Sequence, residues 1–376
     1  MTSKPPFGGE AVRLNQLCSK GKSNLRQKDI ENDGPFNVYG ASGIVGRMDT
    51  YQNERPYVAI VKDGAGVGRA MLCEGKTSVL GTMQALLPNE GTNLSYLLHL
   101  VRSLKLGENY SGSTIPHIYF KDYGRQEVPA LSAGQQSAIA ERLDLAEQLV
   151  ALIDDETAKL DSLVKSRFVE MFGDPVSNTM DWEISTIKET AVTYGDGPFG
   201  SNLKSSDYVD EGVRVIRLGN ILTGSFSERD RSFVSFEKYE RLKKYECKPG
   251  EVVIGTLGDP LLRACIVPDF GVPSIHKADC MYYETDKSKV LPVFAMSVIN
   301  QPTMLKRAML DMHGQTRARI NSTQVGNLPM MLPPLALQQE FADFVNRVDK
   351  LRVEAQAQKE KLQTLYDSLA QDYFAI

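Results

Sequence analysis

Lys159-Leu160-Asp161-Ser162-Leu163-Val164-Lys165-Ser166-Arg167-Phe168-Val169-Glu170-Met171-Phe172 closes one helical pattern. Lys361-Leu362-Gln363-Thr364-Leu365-Tyr366-Asp367-Ser368-Leu369-Ala370-Gln371-Asp372-Tyr373-Phe374 closes another, 202 residues later. The two stretches share Lys, Leu, Leu, Ser and Phe in register. The same spacing relates Gln136 to Gln338 and Leu149 to Leu351. It also relates Gly112, Thr114 and Ile118 to Gly314, Thr316 and Ile320. A period this long is not that of a solenoid; it means two copies of one large unit. A proline loop lies between the matched blocks: Val128-Pro129-Ala130-Leu131, and Leu332-Pro333-Pro334-Leu335, displaced by a few residues. Loops absorb such length changes.

Upstream of each quoted stretch, apolar residues fall on alternating steps of four and three. The first series is Ile139, Leu143, Ala146, Val150, Ile153, Leu160, Val164 and Met171. The second is Phe341, Val345, Val348, Ala355, Leu362, Tyr366, Leu369 and Tyr373. Both keep one heptad phase, which predicts a pair of long coiled-coil helices. Ile139, Leu143, Val150, Ile153, Leu160 and Val164 should meet Phe341, Val345, Val348, Leu362 and Leu369. Gly134 opens the first helical region, and Gly173-Asp174-Pro175 stops it, as a C-terminal glycine followed by proline should. Two amphipathic helices inside one globule would show similar stripes. The length of the stripe and its recurrence favour rods, each of ~38 residues and ~57 Å, longer than the ~34 Å of one DNA turn.

The segments before each helix read differently. Tyr57-Val58-Ala59-Ile60-Val61, Val213-Arg214-Val215-Ile216-Arg217-Leu218 and Val252-Val253-Ile254-Gly255 are β-branched or aromatic runs between Gly, Asp and Asn turns. The expected class is α+β: two strand-rich globular domains with two long helices and a pseudo-two-fold internal repeat. The expected segments are 1–130, a globular domain; 131–175, a helix; 176–333, a second globular domain; and 334–376, a second helix.

Charge follows these segments. The net of −4 hides 15 Lys+Arg against 12 Asp+Glu in 1–130, but 4 against 9 in 131–175. The acid is concentrated on the helices, and a near-neutral domain can still carry a basic face. No apolar run approaches the ~20 residues of a membrane span, and Met1-Thr2-Ser3-Lys4-Pro5-Pro6 has no secretory pattern. The five cysteines, Cys18, Cys73, Cys247, Cys265 and Cys280, are odd in number and scattered. They support neither a disulfide framework nor a zinc site, which points to reducing cytoplasm.

This order of motifs resembles the specificity subunit of type I restriction–modification systems, over nearly the whole chain. In the first copy the resemblance rests on Tyr39-Gly40-Ala41-Ser42-Gly43-Ile44-Val45-Gly46, followed by Val61-Lys62-Asp63-Gly64-Ala65-Gly66. In the second it rests on Gly197-Pro198-Phe199-Gly200-Ser201-Asn202-Leu203-Lys204, then Gly212 to Leu218, then Lys248-Pro249-Gly250-Glu251-Val252-Val253-Ile254. Pro333-Pro334-Leu335 with Gln338-Gln339-Glu340 is similar to the family's approach to its spacer helix. The first copy lacks the opening tryptophan that the second has at Trp182-Glu183-Ile184, which leaves its N-terminal boundary open.

The resemblance implies two target-recognition domains, each reading half of a split, asymmetric double-stranded DNA site, with antiparallel spacer helices between. It implies two methyltransferase subunits docked on the helices and a further restriction and translocase subunit. S-adenosylmethionine, ATP and magnesium would belong to those partners, and this chain would be no enzyme. A coiled-coil scaffold whose domains bind protein or sugar is the alternative.

The residues agree with a reading role. No G-x-x-x-x-G-K-[ST] phosphate loop occurs, and no Asn-Pro-Pro-Tyr-like methyltransferase string. Asp259-Pro260-Leu261-Leu262 reads as a turn, and Gly64-Ala65-Gly66-Val67-Gly68 as a hairpin rather than a nucleotide loop. His99, His117, His276 and His313 show no metal-ligand spacing.

Base reading needs Arg or Lys for guanine, Asn or Gln for adenine, and hydroxyls for either, carried on loops. The candidates in the first domain are Ser42, Arg47, Lys62, Arg69, Lys76, Ser113 and Thr114. Those in the second are Ser201, Lys204, Ser205, Arg263, Lys277, Gln315, Thr316, Arg317 and Arg319. Gly314-Gln315-Thr316-Arg317-Ala318-Arg319 is the richest string, and it stands at the repeat equivalent of Gly112-Ser113-Thr114.

Overall fold

A computed structural model describes residues 10–31, 33–108, 110–111, 116–310 and 319–374. The chain divides into two compact units: Met1–Asp155 with Ala355–Ile376, and Glu156–Glu354. Each unit therefore takes its globular part and a portion of both long helices, Ala133–Phe172 and Leu335–Phe374.

In the first unit, the opening strand Ala11–Arg13 pairs antiparallel with Glu127–Pro129, the last strand before the helix. A four-stranded antiparallel sheet follows in the spatial order Cys18–Lys20, Met83–Pro88, Tyr57–Val61, Ala70–Cys73. Its centre, Tyr57–Val61, has no charged side chain because both of its faces are covered, and the Tyr57 hydroxyl is satisfied by Thr77 at 3.0 Å. Val58 and Ile60 pack with Tyr96, Leu97, Leu100 and Val101 of the helix Leu94–Ser103. Tyr57, Ala59 and Val61 pack with Val79 and Met83 on the other side. There a three-stranded sheet joins Gly43–Met48, Phe36–Gly40 and Ser78–Val79, the last two running parallel.

The second unit repeats this plan. Ile184–Thr186 pairs with Pro329–Met331. The four-stranded sheet runs Ala191–Asp196, Cys280–Thr285, Val252–Gly255, Arg263–Ile266, again first, last and the two middle strands. The second sheet again contains a parallel pair, Val213–Ile216 with Ser274–His276, now widened to five strands. One fold thus occurs twice, including where the two sequences share little. At the start of the described residues Ala11–Arg13 occupies the place of Ile184–Thr186. Leu14 and Ile187, the next buried residues, follow each strand. The first copy lacks the tryptophan but keeps the strand. Trp182 has a separate task, donating its Nε1–H to the Phe172 carbonyl at 3.0 Å where the first helix ends.

Gln136 and Gln338 explain one of the repeated identities. The Gln136 Oε1 accepts the Asn93 N–H at 2.9 Å, and its Nε2 donates to the Leu131 carbonyl at 2.9 Å. The Gln338 Oε1 accepts the Leu291 N–H at 2.8 Å, and its Nε2 donates to Lys289 and Pro333 carbonyls, each at 2.9 Å. Asn93 and Leu291 are the N-caps of Leu94–Ser103 and Pro292–Ile299. Each glutamine thus ties a long helix to the start of the short helix in its own unit, and both are buried.

The helices run antiparallel where they meet. In the first unit Ile139 and Leu143 share a core with Leu369, Ala370, Tyr373 and Phe374. Arg142 donates to the Tyr373 hydroxyl at 2.8 Å, and Lys359 pairs with Asp154 at 2.5 Å. In the second, Val164 and Phe168 pack with Phe341 and Val345, with Arg167–Glu340 at 2.9 Å and Arg352–Asp161 at 2.6 Å alongside. Every residue expected to pair is buried or half-buried: Ile139, Leu143, Ile153, Phe341, Val345 and Val348 are buried, and Val150, Leu160, Val164, Leu362 and Leu369 half-buried. The heptad rule misses Phe168, which is fully buried. Phe168, Phe172, Phe294 and Phe341 form one ring cluster with centroids 4.8–5.8 Å apart. At this end the first helix packs on its partner and on Pro292–Ile299 together, so its buried face is wider than a two-helix seam.

Candidate nucleic-acid interface

Ser42 sits at the tip of a two-residue turn between Phe36–Gly40 and Gly43–Met48, and Arg47 is exposed on the same hairpin. Gly43 has φ +106°, which a side chain would strain. Gly64, Gly66 and Gly68, with φ of +87°, +84° and +86°, turn the chain from Tyr57–Val61 into its antiparallel neighbour Ala70–Cys73. The glycine string is therefore a hairpin connection, and its Arg69 is exposed, with Nε donating to Gly66 at 3.3 Å. Lys62 is half-buried at the exit of the central strand, and Lys76 is exposed in a turn at φ +57°. Ser113 and Thr114 lie outside the described residues, as do Gln315, Thr316, Arg317 and the side chain of Ser201.

In the second unit Lys204 and Ser205 are exposed at the start of a short 3-10 turn, where the Lys204 N–H bonds Asp207 at 2.6 Å. Lys277 lies 5.4 Å from the Tyr208 ring centroid, and Arg217 lies 5.9 Å from the same ring. Two cations thus bracket one aromatic ring, and Arg217 is steadied by Asp230 at 2.8 Å. Arg319 pairs with Asp279 at 2.8 Å, and its guanidinium lies 5.7 Å from the exposed Phe199 ring.

Arg263 requires a correction. Its guanidinium donates to the carbonyls of Ile221 at 2.6 Å, Pro260 at 2.7 Å, Leu218 at 3.0 Å and Leu257 at 3.1 Å. Those bonds occupy most of its fork, so it fastens two loops together rather than offering itself to a base. Burial also holds its pKa below the ordinary value.

Sequence reasoning missed Tyr208, Arg217, Phe199, His117 and Tyr119. His117 Nδ1 lies 2.7 Å from the Asp63 carboxylate, and its ring stacks on Tyr119 with centroids 6.3 Å apart. Spacing along the chain carries no mark of these groupings, because each joins segments far apart in sequence. Among the described residues no group of three or more His, Cys, Asp or Glu converges as a metal site would require. All five cysteines are buried thiols, and burial pushes Cys18, Cys73, Cys265 and Cys280 up to about 12.

Residues 8–162 match the family model described as the type I restriction modification DNA specificity domain. The type I restriction enzyme MjaVIII specificity subunit of Methanocaldococcus jannaschii is 22% identical, over 95% of this chain and 90% of its own length. The S subunit of a type I restriction–modification system from M. genitalium has the same fold, with TM-score 0.58 at 15% identity, covering 98% of this chain and 96% of that one. A chain from a structure of type I R-M complex assembly and conformational transition gives TM-score 0.58 at 14% identity, with each chain covered completely at 100%. No helix among the described residues is long and apolar enough to cross a membrane. Residues 8–162 thus match a type I DNA specificity domain, and along nearly its whole length the chain is similar to a type I restriction enzyme specificity subunit.

Proposed function

We propose that the chain reads double-stranded DNA at an asymmetric, two-part target and carries out no chemistry of its own. One observation carries this reading: a single fold occurs twice, and its exposed and half-buried polar residues differ between copies. Where the first copy offers Ser42 and Arg47, the second offers Lys204, Arg217 and Lys277 on its own loops. Duplicated scaffold with divergent surface suits two reading heads for two different half-sites. The scaffold alternative, in which the domains bind protein or sugar, gains nothing from the likeness to specificity subunits.

The paired helices are the proposed docking ground for two methyltransferase subunits, with a restriction and translocase subunit joining them. In that assembly S-adenosylmethionine, ATP and magnesium belong to the partners, and the complex works in the cytoplasm. The test is to map methylated adenines in a genome carrying this chain with its partners. The map should show one asymmetric split motif. Replacing residues 176–333 by the equivalent domain of another specificity subunit should change one half of that motif and keep the other. A map in which both halves change, or neither, would contradict two independent reading heads.

A further inference from the structure

We propose that His117 and Arg319 are matched base-reading groups, one in each unit, each set in place by an aspartate and an aromatic ring. The inference rests on the DNA-reading assignment above and names which residues perform it.

The two residues occupy the same position of the repeat, 202 apart, each followed by a buried isoleucine, Ile118 or Ile320. Each makes a backbone bridge to a residue just beyond the central strand of its sheet, and His117 makes a second one to Ser111. His117 bridges Asp63, past Tyr57–Val61, and Arg319 bridges Leu257, past Val252–Gly255. Each has a carboxylate beside it: Asp63 hydrogen-bonded to His117 at 2.7 Å, and Asp279 ion-paired with Arg319 at 2.8 Å. Each lies on an exposed ring: Tyr119, 48% accessible, and Phe199, 46%. The aspartates and rings come from different places in the two folds, so descent from one ancestral unit does not account for the shared arrangement. Elsewhere the repeat keeps identity where the fold needs it, as at Gln136 and Gln338. Here it changes the side chain and keeps the setting.

That combination fits readout. A side chain already oriented loses less entropy on binding. Arg319 can present its remaining N–H groups as a fork, which matches the O6 and N7 acceptors of guanine. His117 gives its Nδ1–H to Asp63, leaving Nε2 as its outward group, a single contact suited to a different base. A neighbouring carboxylate also disfavours phosphate, which turns both groups toward base edges. Arg319 and His117 are the readers in this scheme, and Asp279 and Asp63 are positioning residues.

The experiment uses the complex assembled with its methyltransferase subunits. Its probes are duplexes carrying the methylation-mapped target, with neither, one or both halves scrambled. Dissociation constants come from fluorescence anisotropy at fixed salt. Arg319→Ala should weaken cognate binding by about 5- to 150-fold, and the loss should vanish when the half read by the second unit is scrambled. His117→Ala should do the same for the other half. Arg319→Lys keeps the charge and loses the fork, so it should bind as poorly as Arg319→Ala. Asp279→Asn should lower discrimination between cognate and scrambled duplexes while leaving scrambled-DNA affinity within about threefold. Equal losses on cognate and fully scrambled DNA, or a wild-type-like Arg319→Lys, would overturn the inference and leave a phosphate contact. Wild-type thermal melting of each variant separates these outcomes from misfolding. A wild-type complex that cannot tell the duplexes apart would sink the DNA-reading assignment itself.

Discussion

Gln338 shows how much one repeated residue can support. Replacing it by leucine would strand the Leu291 N–H and the Lys289 and Pro333 carbonyls. Each buried group left unpaired costs about 1–3 kcal/mol, so Gln338→Leu should lower stability by at least about 2 kcal/mol in urea titration. Gln339→Ala, one residue on and exposed, should stay within about 0.5 kcal/mol of wild type. His276 offers a second measurement. Burial drives its pKa from 6.5 down to about 4, and its Nδ1–H donates to the Tyr245 carbonyl at 2.9 Å. Between those values the unfolded chain holds a proton that the folded chain refuses. Stability should therefore be complete above pH 6.5 and fall as the pH drops toward 4, by about 1.4 kcal/mol per unit of pKa difference. Chemical melts across that window check the slope, which His276→Gln should flatten. Residues of this kind were only half legible in the sequence. The repeat flagged Gln136 and Gln338 but not their partners, and His276 looked like any lone histidine.

Among elements, the long helices were the most legible, because a heptad stripe is a one-dimensional signal that survives into three dimensions. Of the eleven positions assigned to pairing, six are buried and five half-buried. Phe168 escaped because its burial comes from a third element, Pro292–Ile299, which no periodicity within one helix reports. Phe168→Ala should cost about 3–5 kcal/mol, a loss visible as a lowered urea midpoint. Lys359→Ala removes a partly exposed pair with Asp154 and should cost under about 1 kcal/mol. The strands were legible where both faces are buried, as in Tyr57–Val61 and Val252–Gly255. The opening strand Ala11–Arg13 was not, being three residues long with one arginine. Its identity emerged from its partner, Glu127–Pro129. The interface candidates fared least well. Arg263 looked like a free cation because four carbonyl partners from separate loops cannot be seen along the chain.

At the scale of the molecule, the helices offer a direct manipulation. Each unit holds its own segments of both helices, meeting at Asp155/Glu156 in one and Glu354/Ala355 in the other. One heptad inserted at both junctions would leave the contacts inside each unit intact and lengthen each helix by ~10.5 Å. Methylation mapping should then show the gap between half-sites grown by roughly three base pairs, with both half-sites unchanged; an unaltered gap would dissociate helix length from target spacing. The same division has a consequence for biosynthesis. Ala355 to Phe374, which cover Ile139 and Leu143, leave the ribosome only after the entire second unit has been made. Until then the nascent first unit carries an uncovered apolar groove. The second unit, contiguous in sequence, can close first, which makes the early unit the one in need of a chaperone's shelter.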